Sequence, residues 1–109
     1  MSEKLPSFHS DLTPAEVERL SMLAEECGEV VQAVGKILRH GFESYHPDDL
    51  FKGRPTPDAV SNRGRLQLEL ADVLAMCGHM ENDGDVQIST DDIENAMIRK
   101  GKYAHHQEW

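Results

Sequence analysis

Apolar residues recur at helical spacing through most of the chain. Leu20, Leu23, Cys27, Val30, Val34 and Leu38 fall three or four apart, the period of one face of an α-helix, and mark the expected core stripe. Thr13-Pro14-Ala15-Glu16 supplies the start, with Thr as N-cap, Pro at the first helical position and Glu three residues on to complete a capping box. Arg39, His40 and Gly41 supply the stop, because glycine takes a left-handed terminal conformation and cations suit the negative end of the helix dipole. The first helix therefore runs from about residue 14 to residue 39 or 40, roughly 39 Å at 1.5 Å per residue.

Before it, residues 1–12 carry Pro6 and no period, and read as an extended arm that Phe8 pins to the body. Residues 13–109 read as a single domain, with a loop insertion around residues 42–61. In that loop Pro47, Gly53, Pro55 and Pro57 forbid long regular structure, and at most one short helical turn fits around Asp48-Asp49-Leu50-Phe51-Lys52. A loop of about twenty residues in a compact domain is functional or disordered. Its Phe42, Tyr45, His46, Phe51, Lys52 and Arg54 suit a lid or a base-binding loop; a mobile insertion is the alternative. Ser61 or Asn62 then caps a second helix, apolar around most of its circumference, that ends at about residue 80 or 81 before Asn82-Asp83-Gly84-Asp85. Ser89 opens a third, with Ile93, Ala96, Met97 and Lys100 inward. The class is all-α, built on helical hairpins, with no strand alternation and no internal repeat.

Two helices carry charges where a core should be. Glu25, Glu26 and Glu29 interrupt the first apolar run, and Glu69 and Asp72 are the only charges in Leu66-Gln67-Leu68-Glu69-Leu70-Ala71-Asp72-Val73-Leu74. Burying an isolated carboxylate costs several kcal/mol, so such groups are paired, protonated or bound to a cation. Two i, i+3 pairs on facing helices place four acids around one point, and with no evident cationic partner they favour a divalent metal. Lys36 and His40 continue the line of Glu29, and His79 lies near that of Asp72. On another stripe Ala24, Gly28, Val31 and Gly35 suggest close approach of a backbone or ligand, since glycine within a helix costs about 1 kcal/mol relative to alanine.

Composition narrows the partners. The net charge of −9, without a basic run, argues against a nucleic-acid polymer, which is bound through counterion release by Lys and Arg. It leaves open a nucleotide held through metal ions. No apolar run spans a bilayer and none near Met1 resembles a signal peptide. Cys27 and Cys77 fall in helical apolar patterns and read as buried thiols, so the expected location is cytoplasmic. The tail brings Arg99, Lys100, Lys102, Tyr103, His105 and His106 together.

Glu25-Glu26-x-x-Glu29 followed by Glu69-x-x-Asp72 resembles the signature of the MazG-like nucleoside triphosphate pyrophosphohydrolases, within the all-α group that includes dimeric dUTPases and dCTP pyrophosphatases. The resemblance covers most of residues 20–103. It implies that Glu26, Glu29, Glu69 and Asp72 ligate Mg²⁺, or Mn²⁺ as substitute, and that the α–β phosphoanhydride of a nucleoside triphosphate is cleaved to monophosphate and pyrophosphate. It also implies a homodimer or dimer of dimers in which two subunits complete each four-helix bundle. The separation of Glu29 from Glu69 exceeds the usual family spacing by an insertion at residues 46–61.

For such chemistry Glu26 and Glu29 are catalytic as ligands, and Glu25 is the spare carboxylate that can take a proton from water. Lys36, Arg99, Lys100 and Lys102 are the candidates for the β and γ phosphates, Lys36 being best placed by helical phase. Tyr103 flanks the base or sugar, or sits at the edge of the core. Base and sugar specificity is not written in these motifs, and a purine preference such as dGTP is an expectation only. Two rivals differ in kind. A di-iron bundle would use Glu-x-x-His, whereas the i+3 residues here are Glu29 and Asp72. A non-enzymatic helical dimer, regulatory or scaffolding, would pair its acids with Lys or Arg and would not tighten with Mg²⁺.

Overall fold

A computed structural model describes residues 10–109, so the expected contact of Phe8 lies outside the described residues. Three helices carry the fold: α1 (Pro14–His40), α2 (Asn62–Asn82) and α3 (Thr90–Gly101). Between α1 and α2 come a 3₁₀ turn (Pro47–Asp49) and two short antiparallel strands, β1 (Leu50–Phe51) and β2 (Arg54–Pro55). The all-α class stands, with this small hairpin as an addition. Lys52 and Gly53, at φ of 53° and 76°, form its two-residue turn, the paired positive-φ geometry that matches strand twist.

The chain divides into a unit ending at Gly78 and a second, His79–Trp109. In the first, the start of α1 is built as its sequence dictates. The Thr13 hydroxyl accepts from the Glu16 N–H (3.1 Å), and the Glu16 carboxylate accepts from the Thr13 N–H (2.8 Å). At the other end the Gly41 N–H donates to the Ile37 carbonyl (2.7 Å). Gly41 has a positive φ of 88°, but its ψ of 166° is extended, so the chain leaves α1 without the left-handed turn expected.

That exit is tied straight to α2. The Asn62 N–H donates to the Ser44 carbonyl and the Arg63 N–H to the Phe42 carbonyl, both at 2.8 Å. Arg63 also donates from Nε to the Glu43 carboxylate at 2.6 Å and lies 4.3 Å from the centre of the Phe42 ring. Ser61 is the cap of α2, its hydroxyl accepting from the Gly64 N–H (3.1 Å).

The inward seam of α1 differs from the expected stripe. Leu23, Glu26, Val30, Ala33 and Ile37 are buried or half-buried, whereas Leu20, Cys27, Val34 and Leu38 are exposed, Leu38 by 82%. The helix is rotated so that the seam alternates three- and four-residue steps through Glu26, which puts an acid on the line of core residues. On this helix the acidic and apolar faces are partly one. The thiol expectation is corrected likewise, Cys27 being exposed and Cys77 half-buried. Nor does another part of the chain approach Gly28: a Cβ there would meet nothing within 4 Å, while at Gly35 it would touch only Arg39 Nη1, at 3.4 Å.

In the second unit the end of α2 is closed by the Asp85 N–H to the Met80 carbonyl (2.8 Å) and the Gly84 N–H to the Glu81 carbonyl (3.1 Å), with Gly84 at φ 85°. This is a Schellman closure, with glycine in the left-handed position. Ser89 and Asp92 form the capping box of α3. Of its expected inner residues only Ala96 is half-buried; Ile93, Met97 and Lys100 are exposed, because the chain leaves that face open.

Gly28→Ala tests the open stripe directly. With space around Gly28, the substitution should raise stability by about 1 kcal/mol in urea unfolding, through helix propensity alone. A loss of stability would show that another backbone packs there.

Candidate metal centre

Four carboxylates converge from two helices. One oxygen from each of Glu26, Glu29, Glu69 and Asp72 lies within 4.8 Å of the others, a grouping that could hold a metal ion. The pairing follows from antiparallel helices: Glu29 interacts with Glu69, and Glu26, one turn earlier on α1, with Asp72, one turn later on α2. Glu26, Glu29 and Glu69 are half-buried and Asp72 is exposed, so the site opens to solvent at Asp72 rather than being enclosed.

Among the described residues, no cation figures in the environment that shifts Glu26 and Glu29. The Oε2 atoms of Glu26 and Glu69 are buried and make no hydrogen bond. Glu26 is raised from the ordinary carboxylate range, first by burial and then by the charges of Asp72, Glu29 and Glu25. Glu29 is raised too, first by its side-chain hydrogen bond with Glu69, which requires a proton on one of the two, then by the charge of Glu69. Orphaned acceptor oxygens and acids held against mutual repulsion fit a hard divalent cation, which takes oxygen ligands. Glu25 is exposed and is not one of the converging four, though its charge reaches Glu26.

Beside the acids lies a cleft of about 920 Å³ whose lining includes Glu29 and Glu69. Its wall carries Lys36, Arg39, His40 and Arg65. The sequence placed Lys36 and His40 on this line. Arg39 was read only as a helix-end charge, and Arg65 was missed, although it sits four residues before Glu69 and hence on the same helical face. The loop adds Tyr45, His46 and Asp49 to the lining. Of the other loop residues singled out, Phe42 stacks under Arg63, and Phe51, Lys52 and Arg54 line a separate groove at the hairpin. Arg99, Lys100, Lys102 and Tyr103 belong to the second unit, where all four are exposed, as are His79, His105 and His106.

The model of the MazG nucleotide pyrophosphohydrolase domain matches residues 16–109. The chain belongs to the MazG family. No curated protein and no solved structure matches it. The acids thus sit in a MazG domain that acts on nucleotides, in a family whose enzymes generally depend on divalent metals. No helix among the described residues is long and apolar enough to cross a membrane.

The raised carboxyls set a sign for stability. A carboxyl whose folded value lies above its unfolded value contributes stability that is full below the ordinary range and lost as pH rises through the raised value. The metal-free protein should therefore be strained by Glu26 and Glu29 at neutral pH. In thermal melts at pH 7, Mg²⁺ should raise the melting temperature by about 5 °C or more over EDTA, and by less at pH 5, where protons compete. Glu29→Gln should raise the melting temperature in EDTA and abolish the Mg²⁺ increment. A Mg²⁺ increment retained in that variant would show that Glu29 is not a ligand.

Proposed function

We propose that this MazG domain is a Mg²⁺-dependent nucleoside triphosphate pyrophosphohydrolase that cleaves the α–β phosphoanhydride to a monophosphate and pyrophosphate, with Mn²⁺ as substitute and a purine preference such as dGTP. The observation that carries the reading is the junction of four converging acids with a cleft walled by Lys36, Arg39, His40 and Arg65. A polyphosphate needs both parts, oxygen ligands for its counter-cations and side-chain cations for its outer phosphates.

Glu26, Glu29, Glu69 and Asp72 would hold the cation, which when bound neutralises phosphate charge and acidifies a water. Lys36, with Arg39, His40 and Arg65, binds and orients the β and γ phosphates. Glu25 takes the proton from the attacking water. The water oxygen forms a bond to a phosphorus of the α–β anhydride, the bridging P–O bond breaks, and the bridging oxygen leaves on the other product. Substrate contacts from Arg99, Lys100, Lys102 and Tyr103 are part of the same proposal.

A homodimer or dimer of dimers in the cytoplasm completes it. Support comes from apolar side chains exposed on α1 and α2, among them Val31 (70%) and Leu74 (70%), a density that marks an interaction surface. The rival of a non-enzymatic scaffold would leave the acids without a cation and the cleft without a ligand.

Incubation with each common NTP and dNTP should yield monophosphate and pyrophosphate with Mg²⁺ and nothing with EDTA. Glu29→Ala and Asp72→Ala should each lower kcat at least about 100-fold with helical content kept by circular dichroism. Turnover preserved in either variant rejects the ligand assignment. On light scattering, Leu38→Glu should shift the assembly towards monomer; an unchanged mass would place the subunit interface elsewhere.

A further inference from the structure

The root of the loop between α1 and α2 also caps a helix. The first four N–H groups of an α-helix have no partner within it. In α2 the loop satisfies two of them: the Asn62 N–H donates to the Ser44 carbonyl and the Arg63 N–H to the Phe42 carbonyl, both at 2.8 Å. The other two close on Ser61, the Gly64 N–H on its hydroxyl (3.1 Å) and the Arg65 N–H on its carbonyl (2.9 Å). The Asn62 side chain adds a bond from Nδ2 to the Gly41 carbonyl at 3.2 Å. Ser44, Tyr45 and His46 on the loop, with Asn62 and Arg65 on this first turn of α2, all line the cleft, whereas Phe42, Glu43 and Arg63 lie outside that lining. The bonds that cap α2 are thus the bonds that set the loop's cleft residues against the turn bearing Arg65.

We infer that Arg63 is a positioning residue for the substrate, its clamp on Phe42 and Glu43 setting the affinity of the cleft without touching the ligand. The inference rests on the proposed nucleotide hydrolysis, but it concerns binding and not the reaction. Besides its backbone bond, Arg63 donates from Nε to the Glu43 carboxylate at 2.6 Å and sets its guanidinium 4.3 Å from the centre of the Phe42 ring. A planar guanidinium stacks with its face and hydrogen-bonds with its edge, so both contacts are made at once, which an ammonium cannot do. The carbonyls that cap α2 belong to Phe42 and Ser44, on either side of Glu43, so gripping these side chains holds the acceptors in place. Further along, the loop bonds to itself, the Asp49 N–H to the His46 carbonyl (2.9 Å) and the Thr56 N–H to the Asp49 carbonyl (3.0 Å). A segment folded on itself and tied at its root shifts as a body when the root loosens. Both side chains of the ion pair are more than half exposed. At such exposure an ion pair and a cation–π contact together amount to about a fivefold to tenfold change in an equilibrium, the scale of a tuned affinity and not of global unfolding.

Glu43 gives the test its sign. Were Arg63 to act only by attracting a polyanion, removing the Glu43 carboxylate would strengthen binding; acting through the clamp, it weakens binding when Glu43 is lost. Arg63→Ala and Glu43→Ala should each raise KM for ATP and dGTP about fivefold, with kcat within about twofold of wild type. The double variant should cost no more than Arg63→Ala, because both changes remove one clamp. Glu43→Gln, which keeps an acceptor, should stay near wild type. A lower KM in Glu43→Ala, or additive effects in the double variant, would overturn the assignment. The Mg²⁺ increment in melting temperature should persist throughout, and its loss would place the effect at the acids instead. Amide hydrogen exchange reads the clamp without turnover: residues 42–49 and 62–65 should exchange faster in Arg63→Ala, and unchanged rates would overturn the clamp. Calorimetric binding of α,β-methylene ATP, whose α–β bridge resists hydrolysis, separates this inference from the reaction. Weaker binding by both single variants of a protein that hydrolyses nothing supports the Arg63 assignment and rejects the proposed reaction; unchanged binding by both rejects the assignment even where hydrolysis is found.

Discussion

Repulsion among four carboxylates is the constraint that the first unit is built around. Glu26 and Glu29 on α1 meet Asp72 and Glu69 on α2, and two of their oxygens are buried without a hydrogen bond among the described residues. Left to themselves these charges would drive the helices apart. The seam holds because Leu23, Val30, Ala33 and Ile37 flank Glu26 on α1, and Leu66, Val73 and Met76 flank Glu69 on α2. Burial of these apolar positions opposes that repulsion. A cleft beside these acids, with side-chain cations along its wall, is a natural place for a polyanion accompanied by metal ions. Acids held together in this way cost stability locally, a trade common at functional positions.

Much of this was legible in residue types alone. The capping boxes at Thr13 and Ser89, the proline at the start of α1 and the Ser61 cap fixed the helix starts, because capping chemistry is local and needs no tertiary contact. The convergence of four acids was legible for a different reason: i, i+3 acids inside apolar runs have few physical explanations. The helix rotation was not. Leu20, Cys27, Val34 and Leu38 make as good a stripe as Leu23, Val30, Ala33 and Ile37, and only the need for Glu26 to face Asp72 decides between them. Periodicity gives the existence of a face, while the partner across the gap selects which one turns inward.

The loop shows the same division. Prolines and glycines ruled out a long helix, but the hairpin at Leu50–Phe51 and Arg54–Pro55 was hidden by its two-residue strands, too short to show alternation. Asp49 was one acid among twenty, and only the structure shows its Oδ2 buried without a hydrogen bond. Arg65 belonged to the cleft by helical phase with Glu69, a relation visible in the sequence once Glu69 is taken as a reference point.

The clamp at the loop's base has a consequence for how such a protein can diversify. Ser44 and Phe42 are hydrogen-bonded to Asn62 and Arg63, so the segment between leaves and rejoins the hairpin at one place. A chain closed at its root acts as a cassette. Its length and composition can change at a closure cost that grows only slowly with residue number, and without disturbing the register of the four acids. The loop and the helix pair that carries the acids are thereby mechanically uncoupled, so the segment could be exchanged while the helices are inherited unchanged.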